Sequence, residues 1–331
     1  MSYCSENRLP LKTPISRLKE VIELLGYIKV KDSMKLGNQI ASYMWLGNDI
    51  DISFVELELD IYNEKDYISV QTRTRVGRSY WDLKQQNKTI SLLKSIFGGT
   101  FSTDEGENRY MYRELGNEPS RLECSLYVAR WIYENAINKC HIYLQTRELN
   151  GDISRNETTG FKWLDSLNPR LLSNNMILPY VIGCWESYFR QSYIAILKYA
   201  DRINERALKN CRVSQTELLE IIREGKPLES VLADSLSFQR PKVIHENFKQ
   251  LDNDLDIASC LRKPYHRRKK TLFDSITETI NTRDELVHNG STNLNLYDDN
   301  VKIIISDLTE AIDRSYKEFA KVYNFVPRHD F

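Results

Sequence analysis

Between positions 54 and 76 apolar side chains recur every second residue, whereas along most of the remaining chain they recur every three or four. A strand sends alternate side chains to opposite faces, and a helix gathers every third or fourth on one stripe. The switch therefore separates a part that can build a sheet from a longer part that cannot. In Phe54–Tyr62, Val55, Leu57, Leu59 and Ile61 share one face, and Glu56, Glu58 and Asp60 share the other. Residues 63–66 make a polar turn. From Tyr67 to Val76, Ile68, Val70, Thr72, Thr74 and Val76 point one way, and Ser69, Gln71, Arg73 and Arg75 the other. The acidic face of the first strand can meet the basic face of the second, each cross-strand pair contributing about 0.2–1 kcal/mol.

Helices flank this hairpin. Ile15, Leu18, Val21, Ile22, Leu24 and Leu25 predict one over 14–26, and a second is expected over about 33–46. Ser79-Tyr80-Trp81-Asp82 has the form of a capping box opening a helix to about 97, which Gly98-Gly99 closes. The turn-rich 103–106 then leads to a last strand or hairpin over about 108–113. Residues 1–118 thus read as a small α+β domain, assigned a sensing or regulatory role from its position. Gln71-Thr72-Arg73 stands where a metal nuclease would carry E-x-K. Arginine is a poor substitute for that lysine, so paired strands on a solvated face are the preferred reading over a magnesium site.

A length of 331 suits about two domains. Lys and Arg total 46 and Asp and Glu total 46, so attraction for nucleic acid must come from a local patch. The first residues show no secretion signal, and no stretch approaches the roughly 18 apolar residues of a membrane span. The six cysteines are scattered without a C-x-x-C pair, against zinc or a disulfide scaffold and for reduced thiols in a cytoplasmic protein. There is no P-loop, dinucleotide fingerprint or repeat. The expectations are no metal, no cofactor and no membrane.

Pro119-Ser120-Arg121-Leu122-Glu123 opens a helix whose stripe runs from Leu122 to Cys140 and on to about 146. Residues 150–159 form a polar loop, so 119–160 reads as a bridging helix and loop. From about 171 to 208 the chain is helix-forming, with Pro179 as a start or kink and a broad apolar face from Val181 to Leu197. Glu186 and Arg190, four apart, could pair. Ser214 caps a helix to about 224, and shorter helices are expected over 228–236 and 241–251. Asp298 or Asp299 would cap a closing helix with Val301, Ile304, Leu308, Ile312, Tyr316, Phe319 and Val322 on its inner face. Residues 161–331 therefore form an all-α bundle, and the whole chain is mainly α.

Two features of this bundle carry chemistry. In Arg262-Lys263-Pro264-Tyr265-His266-Arg267-Arg268-Lys269-Lys270, six of nine residues are Lys or Arg. Such a cluster can hold an RNA backbone while Tyr265 or His266 stacks on a base; the alternative is a solvated, mobile loop. A helix over about 271–287 follows and ends in Arg283-Asp284-Glu285-Leu286-Val287-His288-Asn289-Gly290. An imidazole can move a proton near neutral pH, and a guanidinium can hold the charge that grows on a phosphate in the transition state. A separation of five residues rotates by about 500° in a plain helix, so Arg283 and His288 share a site only if the helix ends or distorts near Val287. The bland alternative pairs Arg283 with Asp284 or Glu285 and leaves His288 at a helix end. His141, His245, His266 and His329 read as structural or surface residues.

This octapeptide resembles the R-x4-6-H signature of HEPN domains, all-helical ribonuclease modules of bacterial toxin and antiphage systems. The likeness covers about the C-terminal half: a long amphipathic helix first, the motif ending a later helix, one long helix closing the chain. Ser235–Gln239 is also similar to the corresponding part of several bacterial members. The resemblance implies a HEPN-like bundle over 161–331 that acts as a homodimer and cleaves RNA without a metal. Arg283, His288 and Asp284 would be catalytic, and Glu186 and Asn289 supporting. The 2′-hydroxyl would attack its neighbouring phosphate, leaving a 2′,3′-cyclic phosphate and a 5′-hydroxyl, so DNA would not be cut. It further implies a toxin or abortive-infection role, restrained or triggered through the N-terminal domain by a regulatory protein or phage-derived signal. Gly290 stands where some members carry a modifiable tyrosine, so that control is not expected. The alternative function is a non-catalytic module binding RNA, a nucleotide or a protein partner.

Overall fold

The alternating segments at 57–63 and 67–74 pair at the centre of one antiparallel sheet. The computed structural model describes residues 2–31, 37–45, 52–111, 118–204, 213–266 and 268–331. Strands β1 (Cys4–Pro10), β2 (Ile28–Lys29), β3 (Gln39–Trp45), β4 (Leu57–Asn63), β5 (Tyr67–Thr74), β6 (Thr100–Thr103) and β7 (Gly106–Glu107) lie in the order β2-β3-β4-β5-β1-β6-β7. Glu58 faces Arg73 and Asp60 faces Gln71 across β4 and β5. Arg75 reaches back to Glu56 at 2.5 Å and Glu58 at 2.8 Å, so the acidic and basic faces meet as their alternation required.

Helices α1 (Ile15–Leu24) and α2 (Tyr80–Phe97) supply Leu18, Ile22 and Leu93 to a core with Leu9, Tyr43, Leu57, Leu59, Ile61 and Val70. The capping box at Ser79 forms, with Asp82 accepting the Ser79 N–H at 2.7 Å. Asp82 also takes the N–H groups of Val55 (3.0 Å) and Glu56 (3.2 Å), so it ties the helix start to the residues that lead into β4. Burial pushes this carboxyl up to about 7, against the downward pull of those donors. Gly99 lies under β1: a Cβ there would stand 2.1 Å from the Arg8 carbonyl oxygen, and its φ of +85° suits glycine alone.

Two expectations for this region are corrected. Residues 39–45 form β3, not part of a helix; Ala41 and Tyr43 face the core while Ser42 bonds Asp60 on the neighbouring strand at 2.6 Å. Residues 33–36 and 46, which the expected helix also covered, lie outside the described residues. The strand expected over 108–113 falls earlier, as the short β6–β7 hairpin around the turn at 104–105; residues 112 and 113 lie outside the described residues. β1 shows no hydrophobic alternation because two of its three inward residues, Ser5 and Asn7, are polar: Ser5 bonds Thr72, and Asn7 bonds the Ile90 carbonyl.

The chain divides into two compact units, residues 1–128 with 328–331 and residues 129–327. Helix α3 (Arg121–Thr146) begins in the first and continues into the second. Ser120 caps it by accepting the Glu123 N–H at 3.0 Å. In the first unit Arg328 donates to Glu123 at 3.0 Å, Asp330 stands 3.6 Å from Arg78, and the buried Phe331 ring packs edge-on to Tyr127.

Among its described residues, the regular elements of the second unit are all helices: α4 (Lys162–Asp165), α5 (Pro169–Tyr199), α6 (Gln215–Glu224), α7 (Leu228–Asp234), α8 (Pro241–Leu251), α9 (Ile257–Arg262), α10 (Leu272–Asn289) and α11 (Asp298–Val322). The protein is thus mainly α, with an α+β N-terminal part. α5 runs through Pro179 and stops at Tyr199, and of the helix-forming stretch expected to 208, residues 205–208 lie outside the described residues. Trp185, Tyr188, Phe189, Tyr193 and Phe248 pack edge to face between α5 and α8, and Phe319 of α11 lies tilted against Phe248. Ser214 and Glu217 close a capping box on α6, and Gly225 ends it in the left-handed conformation. Neither Asp298 nor Asp299 caps α11; Tyr297 holds that position. Asp298 is buried instead, where it bonds Arg147 at 2.8 Å, Asn174 at 2.9 Å and Arg170 at 3.2 Å. Among the described residues no helix is long and apolar enough to cross a membrane.

Candidate functional site

The side chains that converge at the C-terminal part of α10 come from three segments. The indole of buried Trp185 on α5 donates to the Gln239 carbonyl at 2.8 Å. Phe238 is buried against Tyr193 and Phe248, and Asn247 donates to the Ser237 carbonyl at 2.8 Å. These contacts fix residues 237–239, and Pro241 opens α8 directly afterwards. Arg240 is thereby aimed at α10: Nη1 donates to Asn281 Oδ1 at 2.9 Å and Nη2 to Asp284 Oδ2 at 2.8 Å. From α10 itself, Arg283 Nη1 donates to Asp284 Oδ1 at 3.1 Å, and Gln239 Nε2 approaches the same oxygen at 3.4 Å.

One carboxylate therefore holds two guanidinium groups. Arg283 and Asp284 are only about a quarter exposed, at 23% and 24%. Arg283 Nε is buried without a hydrogen-bond partner. Glu186, half-buried on α5, faces both: burial pushes its carboxyl above the usual range, Arg283 pulls it down, and Asp284 pushes it up. The pairing of Glu186 with Arg190 is not what α5 uses; Arg190 binds Asp234 on α7 at 2.6 Å. Arg283, Asp284 and Glu186 are thus brought together. Gln239 and Arg240, which sequence reasoning passed over, complete the cluster.

His288 is placed differently from the expectation. α10 does not break near Val287 but runs through Asn289, where Gly290 at φ 64° supplies the left-handed cap and donates to the Leu286 carbonyl at 3.0 Å. With a residue able to end the helix waiting at 290, nothing forces an earlier end. The exposed His288 stays about 140° around the helix from Arg283. It shares a stripe with Asn281 and Asp284, at i, i+3 and i+7, the stripe that Arg240 binds. One helical turn, about 5–6 Å between Cβ atoms, separates His288 from Asp284. Asn289 is exposed at the last position of the helix.

The basic segment lies at the other end of α10. Its N-cap Thr271 and Arg283 are separated by about 18 Å of helix rise. Two of the segment's cations are already matched. Arg268 donates twice to buried Asp307, at 2.7 and 2.9 Å, and Lys270 pairs with Glu278. Arg262 stacks over Phe273 at 4.3 Å. Tyr265 lies against His266, with Arg268 and Arg314 over its ring at 5.0 and 5.4 Å. Arg314 also donates to the Lys263 and Pro264 carbonyls. Among the described residues Lys263 and Lys269 are exposed and form no ion pair; Arg267 lies outside them.

Elsewhere, His245 accepts the Ala258 N–H at 3.4 Å and serves the α8–α9 junction. Among the described residues no group of three or more His, Cys, Asp or Glu side chains is placed to share a metal ion. Gln71 and Arg73 lie exposed opposite Asp60 and Glu58, as a solvated strand pair. Comparison with protein-family models, with curated proteins and with solved structures finds no match.

Proposed function

We propose that the protein is an endoribonuclease that cuts RNA by attack of a 2′-hydroxyl on the adjacent phosphate, with HEPN-type use of Arg283 and His288. The supporting observation is the convergence of Arg283, Arg240 and Gln239 donors on one anion position, with an imidazole one helical turn away. Charge-assisted donors at such a point stabilise the oxygens of a phosphorane as negative charge builds on them. His288 takes the proton of the attacking 2′-hydroxyl or gives one to the departing 5′-oxygen. The P–O5′ bond breaks as the P–O2′ bond forms, leaving a 2′,3′-cyclic phosphate and a 5′-hydroxyl. Glu186 holds Arg283 in place, and the exposed cations of 262–270 guide the strand toward α10.

The same reading makes the enzyme a cytoplasmic toxin or antiphage effector that works as a homodimer. The exposed apolar side chains Leu172, Met176 and Tyr180 on α5 favour such pairing. The N-terminal unit is where a regulatory protein or phage-derived trigger would act. A second reading, a module that binds RNA, a nucleotide or a protein without cutting, is favoured by one observation: Arg283 is matched by Asp284, and His288 lies on a different face.

The test is incubation of total cellular RNA with the purified protein in EDTA, beside Arg283→Ala and His288→Ala, with end-group analysis. Cutting by the unaltered protein alone, with cyclic-phosphate and 5′-hydroxyl ends, supports the first reading. Undiminished binding without cutting moves the assignment to the second.

A further inference from the structure

We infer that the Asp284 carboxylate is a stand-in for the RNA phosphodiester, occupying in the free protein the place between Arg240 and Arg283 that the substrate's phosphate takes. This rests on the RNA-cleaving reading of the same site and assigns Asp284 a regulatory role in place of a catalytic one.

Three observations carry it. First, the two oxygens of Asp284 are divided between two guanidinium groups from different segments, Oδ2 to Arg240, just before α8, at 2.8 Å and Oδ1 to Arg283 on α10 at 3.1 Å. A phosphodiester offers the same fork of two anionic oxygens, and arginine pairs are suited to it. Second, the carboxylate satisfies its neighbour incompletely. Asp284 adjoins Arg283 in the chain and takes only Nη1, leaving the buried Nε without an acceptor. A tetrahedral phosphate has further oxygens to present to Nε. Third, the charges are already balanced. Arg240 and Arg283 are matched by Asp284 and Glu186, so an incoming phosphate would be a third anion against two cations. Asp284, on a short side chain at the partly exposed edge of the cluster, is the group that can give way. Glu186 acts on Arg283 from a different element, α5.

The consequence runs against the usual loss of function on altering an active-site carboxylate. Asp284→Asn keeps the shape of the side chain and removes the competing charge. The experiment measures binding of a short single-stranded RNA carrying 2′-O-methyl groups, which has no nucleophile and so reports affinity without cleavage. The unaltered protein, Asp284→Asn and Asp284→Asn with Arg240→Gln are compared over a range of salt. The expected result is about tenfold tighter binding by Asp284→Asn, with a log–log salt slope steeper by about 0.7, and loss of that gain in the double variant. Equal or weaker binding by a folded Asp284→Asn overturns the inference. Thermal melting establishes folding, and Asp284→Ser replaces the amide if it fails.

Cleavage of unmodified RNA in EDTA by the unaltered protein is read alongside. Cleavage with no gain in affinity on Asp284→Asn sinks the stand-in and leaves the nuclease. A gain in affinity with no cleavage keeps the stand-in and removes the nuclease.

Discussion

Two cationic regions of the helical unit invite comparison. Residues 262–270 hold six basic side chains in nine positions, and Arg240 and Arg283 are far apart in the chain. The dense region is the more conspicuous in sequence, yet two of its cations are tied to carboxylates within the fold. Its Arg268 is locked to Asp307, its Lys270 to Glu278, and its Arg262 rests on Phe273. The sparse pair shares one carboxylate and keeps a buried guanidinium donor unused. Basic density along a chain therefore measures how many countercharges a fold must find; available positive potential depends on what remains unmatched.

Five variants would sharpen or break this contrast. Arg283→Ala should lower RNA cleavage by about a thousandfold, as expected for removal of a transition-state cation, whereas Arg268→Ala should cost less than about tenfold. The reverse order would show that the dense region carries the chemistry. Asp307→Ala should destabilise the protein by about 2 kcal/mol in denaturant unfolding, because it strands Arg268 and the Ser275 hydroxyl, which donates to Asp307 at 2.7 Å. A change below about 0.5 kcal/mol would mean Arg268 is not locked. Arg240→Gln should reduce cleavage about tenfold while leaving the melting temperature near that of the unaltered protein. The double change Lys263→Ala and Lys269→Ala should have the smallest effect, a few-fold weaker RNA binding with a shallower salt dependence and an unaltered pattern of cut sites. A new cleavage pattern there would make the segment a determinant of specificity.

Local physics made much of the molecule legible. The alternation at 57–63 and 67–74 fixed strands, faces and cross-strand charges together. The boxes at Ser79 and Ser214 set helix starts to the residue, because each is completed within four positions of chain. What escaped depended on distant partners. Ser5 and Asn7 point inward on β1 only because Thr72 and Ile90 receive them, so no hydrophobic alternation announced the strand. The region at 39–45 has a pattern ambiguous between helix and strand, and pairing with β4 decides it. In the candidate site, the Arg283–Asp284 contact was visible because the residues are adjacent. Arg240 was not, since its place is set by Trp185 holding the Gln239 carbonyl, a link across more than fifty residues. The condition for His288 to turn toward Arg283, a helix end near Val287, is not met, because the glycine cap sits one residue beyond the last helical position, Asn289.

The tail at 328–331 has a practical corollary for anyone wishing to dissect the protein. It belongs to the first unit, yet the chain reaches it only after traversing the second. A gene fragment stopping at residue 128 would encode the sheet and its helices with an empty slot beside Tyr127 and an unanswered Glu123. Fragment complementation is the natural remedy: Arg-His-Asp-Phe grafted through a flexible tether, or added as a peptide, should raise the melting temperature of the isolated half. Functional mapping by simple truncation would otherwise confuse the loss of a domain with the unfolding of its neighbour.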